Sequence, residues 1–456
     1  MTVIDELHAA LGDAIVTDPD VLETYRRDRA AWAPAGIPLA VARPSSTADV
    51  QLIARWASQH HIPIVPRGAG SGISGGASAQ DGGIVLSFER MQRILAIDEA
   101  AMLAVVQPGV LNETLKLAAQ EHGLWYPPDP SSFAISSLGG NVATNAGGLC
   151  CVKYGVTSDY VLGLEVVLAD GSVLRTGGKN RKDVAGYDLT HLLVGSEGTL
   201  GLITEITLRL RRRPPPSRTL VAMFDSLEAS GHAVSRIVRT AEPSLLELMD
   251  RASLQAVERH AQLGLDARSA AMLIAQSDAV SGSEIAVIQE ACEHAGSTLT
   301  AVADDEAEGR MLLAARRLAY PALEQLGDVL VDDVAVPLPQ LPEMLRRIEA
   351  LAARSGALIA TVAHAGDGNL HPLVVFDRRD AADEARALNT FETLMREALE
   401  LGGTITGEHG VGTLKRDYLP RQLGATSMAL HQRLKLAFDP LGILNPGKLL
   451  ALSRSQ

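Results

Sequence analysis

Cys150, Cys151 and Cys292 are the only 3 cysteines in 456 residues. The first two are adjacent, which supplies neither the C-x-x-C spacing of a zinc knuckle nor a disulfide framework, so a reducing cytoplasm is the expected setting. Positive charge is also short. With 41 Lys and Arg against 54 Asp and Glu the formal net charge is -13, which excludes the basic footprint that nucleic-acid binding needs. No apolar run reaches the ~20 residues that span a bilayer. The N-terminus, MTVIDELHAALGD, is acidic and amphipathic and lacks the basic-then-apolar order of a secretory signal. Membrane contact on this reading is at most peripheral, at an inner membrane face. What is present, 46% hydrophobic and 21% charged residues, describes a soluble globular chain long enough for two or three domains.

Glycine is plentiful where cysteine is not. Short β-branched runs at 62–65, 83–87, 103–107, 161–169 and 202–210 predict strands. Between them, 46–61 sets Val50, Ile53, Ala54 and Ala57 at helical spacing behind a Ser/Thr start. Likewise 112–123 opens on Asn and stops on Gly, as a capped helix does. Then RLRRRPPPSRTL runs arginines into Pro214-Pro215-Pro216, which continue neither strand nor helix, and the first domain ends there. The arginines read as the solvated end of a strand. Beyond it the composition shifts to Ala, Leu and Glu. Helical patterns at 340–355 and 381–401 alternate with strands at 270–276, 328–336 and 358–363, an α+β arrangement with a sheet covered by helices on one side. The division is 1–217, 218–404 and a closing segment 405–456.

PRGAGSGISGGA (66–77) contains Gly70-Ser71-Gly72-Ile73-Ser74-Gly75, the G-x-G-x-x-G spacing of dinucleotide binders. That fingerprint requires a helix opening at the last glycine. Gly76, Asp81, Gly82 and Gly83 follow instead and cannot sustain one, so a nicotinamide cofactor is rejected. The glycines still leave a backbone free to approach a ligand, with amides able to nest phosphate oxygens. Two more Gly/Asn-rich segments, 136–148 and 194–210, point to one elongated anionic cofactor wrapped by loops.

His364-Ala-Gly-Asp-Gly-Asn-Leu-His371 carries the sharpest chemistry. Gly366-Asp367-Gly368-Asn369 is turn material, so a hairpin brings both imidazoles together. One such histidine alone reads as structural. Two, with Glu408 available from Gly407-Glu408-His409-Gly410, read as a His₂-carboxylate metal site that suits zinc, with manganese, iron or cobalt as alternatives. Adjacent residues of an extended backbone face opposite ways, which gives Glu408 to the metal and His409 another task.

PRGAGSG, SLGGNVATNAGG, YGVTSDYVLGLEVVLADG, DLTHLLVGSEGTLGLIT, HAGDGNLH, GEHGVG and NPGK occur in this order. From about residue 38 onward the chain resembles the FAD-linked oxidases of the vanillyl-alcohol oxidase/p-cresol methylhydroxylase superfamily, in the D-2-hydroxyacid dehydrogenase branch. That branch holds cytochrome-type D-lactate dehydrogenases, glycolate oxidase FAD subunits and D-2-hydroxyglutarate dehydrogenases. The resemblance implies an α+β fold: a p-cresol methylhydroxylase-type FAD domain of two α/β subdomains and a cap with an antiparallel sheet covered by helices. It places FAD along Pro66, Arg67, Gly68, Ala69, Gly70, Ser71, Gly72, Pro128, Ser137, Gly139, Gly140, Asn141, Thr144, Asn145 and Gly148. Glu197, Gly198, Gly201, Ile203 and Asn445 complete that pocket. No histidine stands between Pro66 and Gly83, where covalently flavinylated relatives carry one, so the FAD is expected to be non-covalent.

It assigns the metal to His364, His371 and Glu408, and the catalytic set to His409 as general base, Arg316 on the substrate carboxylate and Asn369. The plain alternative for Arg316 is a solvated helix charge, a part that neighbouring Arg317 could take instead. The expected reaction takes a D-2-hydroxy acid, D-lactate foremost, to the 2-oxo acid with hydride to flavin N5 and electrons to a quinone, cytochrome or flavoprotein. Val331, standing where the hydroxyglutarate enzymes present a lysine, favours a monoacid. Alternatives are glycolate oxidation, D-2-hydroxyglutarate oxidation and an electron-transferring subunit of a larger complex. A homodimer is compatible with all of them.

Overall fold

The computed structural model describes residues 3–180 and 182–451. They pack as two compact units: Met1–Gly147, Val156–Arg213 and Glu408–Gln456 form one, Gly148–Gly155 and Pro214–Gly407 the other.

The first unit holds two α/β layers. In one, strands Ala40–Ala42, Ile84–Ser87 and Ile64–Arg67 lie parallel, with the short Ile15–Val16 antiparallel at the edge. Helix Thr47–His60 covers this sheet with Val50, Ile53, Ala54 and Ala57, all fully buried. A reciprocal capping box between Ser46 and Asp49 starts the helix, and His61 in the left-handed region ends it. In the second layer five antiparallel strands run in the order Ile94–Asp98, Leu103–Val106, Leu202–Arg209, Val161–Val167, Val173–Gly177. Helix Asn112–Glu121 packs on it through Leu115 and Ala119. Asn112 does not cap this helix. Leu111 occupies the N-cap without a side-chain bond, while the buried Asn112 amide donates to the Pro128 carbonyl and to Asn141 Oδ1 at 3.2 and 3.0 Å. A tertiary pair of amides has outcompeted the local cap. Strand Arg211–Arg212 pairs with Leu124–Trp125 and keeps its arginines exposed.

The second unit is built on eight antiparallel strands. Across it run Leu299–Val302, Arg218–Phe224, Ala271–Ser277, Leu245–Asp250, Leu358–His364, Asn369–Phe376 and Asp328–Val331, with Val334–Ala335 on the far end of Asn369–Phe376. The expected cover on one side is corrected here. Val221 and Met223 face a core with helices Arg251–Ala261, Glu306–Arg317 and Ala319–Glu324, while their alternates Leu220, Ala222 and Phe224 are equally buried on the reverse face. Helices Leu227–Thr240, Glu284–His294, Leu341–Ser355 and Ala381–Glu400 also contact the sheet. Strands apolar at every position need cover on both faces. The expected single strand 328–336 is interrupted at the fully buried Asp332-Asp333, where Asp332 Oδ1 accepts the Asp333 N–H and the Asp333 carboxylate accepts from Asn369, Thr406 and Gly407. Segment Gly148–Gly155 is fastened into this unit by Lys153 and Tyr154, both bonded to the buried carboxylate of Asp278.

Candidate functional site

In the first unit, strand Ile64–Arg67 ends in a loop, and no helix forms before the next strand at Ile84. The loop is held close to its neighbours. A Cβ on Gly68 would stand 2.2 Å from Ser137 Oγ, and one on Gly70 (φ +72) 2.1 Å from the guanidinium of Arg67. Arg67 itself is buried, donates to the Arg27 carbonyl at 2.9 Å and lies over the Tyr25 ring. Ser137 Oγ accepts from Ala69 N–H and Gly140 N–H, both at 3.3 Å, tying the loop to helix Leu138–Thr144. The amides of Gly70, Ser71 and Gly72 meet no protein acceptor among the described residues.

The other expected cofactor residues converge on the same strand. Gly198 (φ +70) presses on Pro66, where a Cβ would approach to 2.3 Å. Asn445 donates its side-chain amide to the carbonyls of Gly76 and Glu197 at 2.9 and 2.7 Å, and its backbone pairs with Ile64. Its Oδ1 is buried without a protein partner. Glu197 accepts the backbone N–H groups of Val411 and Gly412, each at 2.7 Å, and burial pushes its carboxyl up to about 7. Several of the expected residues also make contacts within the protein. Asn141 spends both ends of its amide on Asn112 and Ser136, Ile203 lies in the apolar core, and Gly201 and Gly139 make room for Val166 and Pro108. Thr144 bonds back to the Gly140 carbonyl, Asn145 (φ +51) ends that helix, and the Pro128 carbonyl serves Asn112. Gly148 belongs to the second unit. Unpartnered amides, a glycine-lined approach and the orphaned Asn445 oxygen fit an anionic dinucleotide such as FAD.

In the second unit, the hairpin of Leu358–His364 and Asn369–Phe376 turns through Ala365–Asp367 and Gly368 (φ +73). Its register sets His364 opposite Asn369 and Val362 opposite His371, so both histidines share a sheet face as diagonal neighbours. Their rings stand edge to face with centroids 5.0 Å apart, and each offers a nitrogen within 4.8 Å of the other's. Glu247 pairs with His364 from the next strand, which puts Glu247, His364 and Asn369 in one row. The fully buried Glu247 takes His364 Nδ1 on Oε1 at 2.7 Å and faces Arg316 Nε with Oε2 at 2.9 Å. Of the two arginines, Arg316 is buried and Arg317 exposed. Asp333 Oδ1 accepts from Asn369 Nδ2 at 2.9 Å and lies 3.6 Å from His371 Nδ1. Its Oδ2 accepts from Thr406 Oγ1 and Gly407 N–H at 2.7 and 3.0 Å. A Cβ on Gly407 would meet the Asn369 amide, so glycine is required there. Val331 packs on the apolar core of the same face.

A His364 whose Nδ1 is engaged by a carboxylate presents Nε2 as the ligand nitrogen, the usual setting of a metal-binding imidazole. The donor set therefore fits a divalent ion. Glu408 and His409 open the first unit's last segment. They do not face apart as an extended backbone would require: residues 407–409 are bends and the two side chains approach to 3.5 Å.

Glu247 and Asp333 were not singled out from sequence. Their signal was there, an acid inside an otherwise apolar strand run, since a charge buried in such a run needs a partner. Glu197 was expected as a cofactor contact, but its grip on Val411 and Gly412 was invisible.

Two family models match the chain: FAD linked oxidases, C-terminal domain, over residues 213–449, and FAD binding domain over 38–177. Among curated relatives, glycolate oxidase subunit GlcD of Bacillus subtilis is 43% identical over 91% of this chain and 89% of its own. GlcD of Escherichia coli is 40% identical, covering 90% and 83%. The mitochondrial D-lactate dehydrogenase [cytochrome] of Arabidopsis thaliana is 35% identical, covering 98% and 80%. Of solved structures, 4-ethylphenol oxidase from Gulosibacter chungangensis superposes with a TM-score of 0.80 at 21% identity, covering 99% of this chain and 97% of that one. For p-cresol methylhydroxylase with substrate bound the TM-score is 0.77 at 18% identity, covering 98% and 96%. At such identity the structures establish the fold alone, the p-cresol methylhydroxylase type expected from the motifs. No helix among the described residues is long and apolar enough to cross a membrane.

Proposed function

This chain belongs to the FAD-linked oxidases and is an FAD-dependent oxidoreductase, and from that premise we propose that it oxidises a small D-2-hydroxy acid with the help of a divalent metal and passes the electrons to a non-nicotinamide acceptor. The observation that carries this reading is the polar end of the hairpin face: two convergent imidazoles, one held by Glu247, beside a buried arginine. When bound, FAD would supply the acceptor for the α-hydrogen and its electron pair, and a divalent ion would supply the Lewis acidity that lowers the pKa of the substrate hydroxyl.

The chain's own residues divide the remaining work. His364 and His371 hold the metal, zinc by donor type, and Glu408 is the third ligand. It is one peptide on from Gly407, which Asp333 holds beside Asn369. Arg316, ion-paired with Glu247 on its Nε side, offers its outer guanidinium edge to the substrate carboxylate. His409 receives the hydroxyl proton, since an imidazole titrates near working pH. Asn369 keeps Asp333, and through it Gly407, in place. The flavin lies along the 66–72 loop, 137–145, 197–203 and Asn445.

D-lactate is the first substrate of this proposal. The GlcD relatives, more similar than the D-lactate dehydrogenases reported above, favour glycolate as the second, and their name as a subunit favours transfer within a complex. Mixing the yellow protein anaerobically with D- and L-lactate, glycolate and D-2-hydroxyglutarate tests this. Bleaching by D-lactate or glycolate, and by neither L-lactate nor the diacid, is expected. A flavin that none of them bleaches contradicts the proposal. Acid precipitation should release the flavin to the supernatant; colour retained in the pellet contradicts non-covalent binding.

A further inference from the structure

Glu247 stands between two groups to which the proposed function gives separate tasks. Its strand, Leu245–Asp250, is otherwise apolar up to Asp250, and the face it shares carries Met249, Val362, Leu373 and Val375 in the core below. Burying a carboxylate, an imidazole and a guanidinium in such a place is a poor route to stability. Exchanging a buried ion pair for apolar residues of similar volume is often neutral or stabilising. The arrangement is better explained by geometry. Each carboxylate oxygen faces a different group: Oε1 is hydrogen-bonded to His364 Nδ1 at 2.7 Å, and Oε2 forms an ion pair with Arg316 Nε at 2.9 Å without hydrogen-bond geometry. The first contact sets the imidazole tautomer and ring plane, leaving Nε2 as the ligand atom. The second holds the guanidinium by charge at its inner edge and leaves the outer edge for a bidentate anion. The backbone register Glu247–His364 makes the spacing rigid.

We propose that Glu247 is a positioning residue that locks the metal-binding imidazole of His364 and the carboxylate-binding guanidinium of Arg316 into one fixed relation, so that metal affinity and substrate affinity are coupled through a single side chain. This rests on the function proposed above. It explains why the buried arginine of the pair Arg316-Arg317 is the one committed to this row, and why a strand with no exposed surface carries a glutamate.

The test compares wild type with Glu247→Gln, reading zinc affinity by competition with a chromogenic chelator, and KM and kcat for whichever of D-lactate and glycolate bleaches the wild-type flavin. The amide keeps the shape and one acceptor oxygen but removes the charge that is paired with Arg316. Zinc affinity is expected to fall about 10–100-fold. KM should rise roughly tenfold, the order of one charge-assisted hydrogen bond, with a smaller change in kcat. The flavin spectrum should be unchanged. Arg316→Lys, which leaves every metal-binding atom in place, provides the second reading should the glutamine variant fail to fold. It should lower zinc affinity several-fold by loosening Glu247. Unchanged zinc affinity in either folded variant overturns the coupling. If the wild type itself binds no divalent metal, the proposed function falls as well, so the two failures are told apart by the wild-type measurement.

Discussion

Glu197 in the first unit and Glu247 in the second are both buried carboxylates, and their partners differ in kind. Glu197 is met by two backbone amides, from Val411 and Gly412. Glu247 is met by an imidazole and a guanidinium. Burial pushes the Glu197 carboxyl up to about 7, against the lowering effect of those two amides and of the Lys448 charge. The contrast extends to the units. The first shapes its site with backbone, through glycines that admit close approach and residues at positive φ such as Asn145, Glu197, Gly198 and Asn445. The second shapes its site with side chains projected from one sheet face. A backbone-built cradle suits a large cofactor gripped along its length, whereas a side-chain cluster suits a small substrate and an ion.

This contrast can be broken at several points. His371→Ala should strip the metal and take turnover to background while leaving the flavin spectrum intact, checked by metal analysis alongside absorbance. An active, metal-free variant sinks the assignment. His409→Ala should cost on the order of 10²–10⁴ in kcat and retain FAD, read by steady-state kinetics with an artificial acceptor. In the backbone-built unit the damage should instead be to folding. Gly198→Ala forces a side chain into a left-handed residue already against Pro66 and should cost about 1–3 kcal/mol, seen as a lowered Tm with weaker flavin retention.

The smallest effect concerns Glu197 and pH. Unfolded, this carboxyl ionises near 4.5; folded, near 7. Below 4.5 both states hold the proton and burial carries no ionic penalty. Between these values only the unfolded state ionises, so stability falls as pH rises through the window and the loss levels off above about 7. Glu197→Gln should flatten that part of the curve in urea midpoints taken across pH, and an unchanged slope assigns it elsewhere.

Legibility in the sequence follows the same divide. Backbone devices leave residue-type signatures, so the 66–77 loop, the 136–148 and 194–210 segments and the missing Rossmann helix could all be read from glycine and asparagine placement. The His364–His371 hairpin was readable for the same reason, its turn residues lying between the two histidines. Long-range side-chain partners leave little trace. An acid in an apolar run marks Glu247 as needing a partner, but nothing local names that partner, which lies across the sheet 117 residues away. Asn112 misled as a helix cap because its true partner, Asn141, lies 29 residues away. Cover on both faces of the second sheet was legible in strands apolar at every position, a signal that the expectation of one covered side left unused. The bends at 407–409 defeated the opposite-face argument for Glu408 and His409 because glycine neighbours release the chain from extended geometry.

The central claim is that a hydroxy acid is activated at the side-chain cluster of the second unit for oxidation by a flavin held in the first. Rapid anaerobic mixing of D-lactate or glycolate with the protein, before chelation, after chelation and after zinc is restored, tests it most directly. The account predicts fast flavin bleaching, near-complete loss of that phase on chelation, and its recovery on reloading. Bleaching at an unchanged rate in the metal-stripped protein would contradict it.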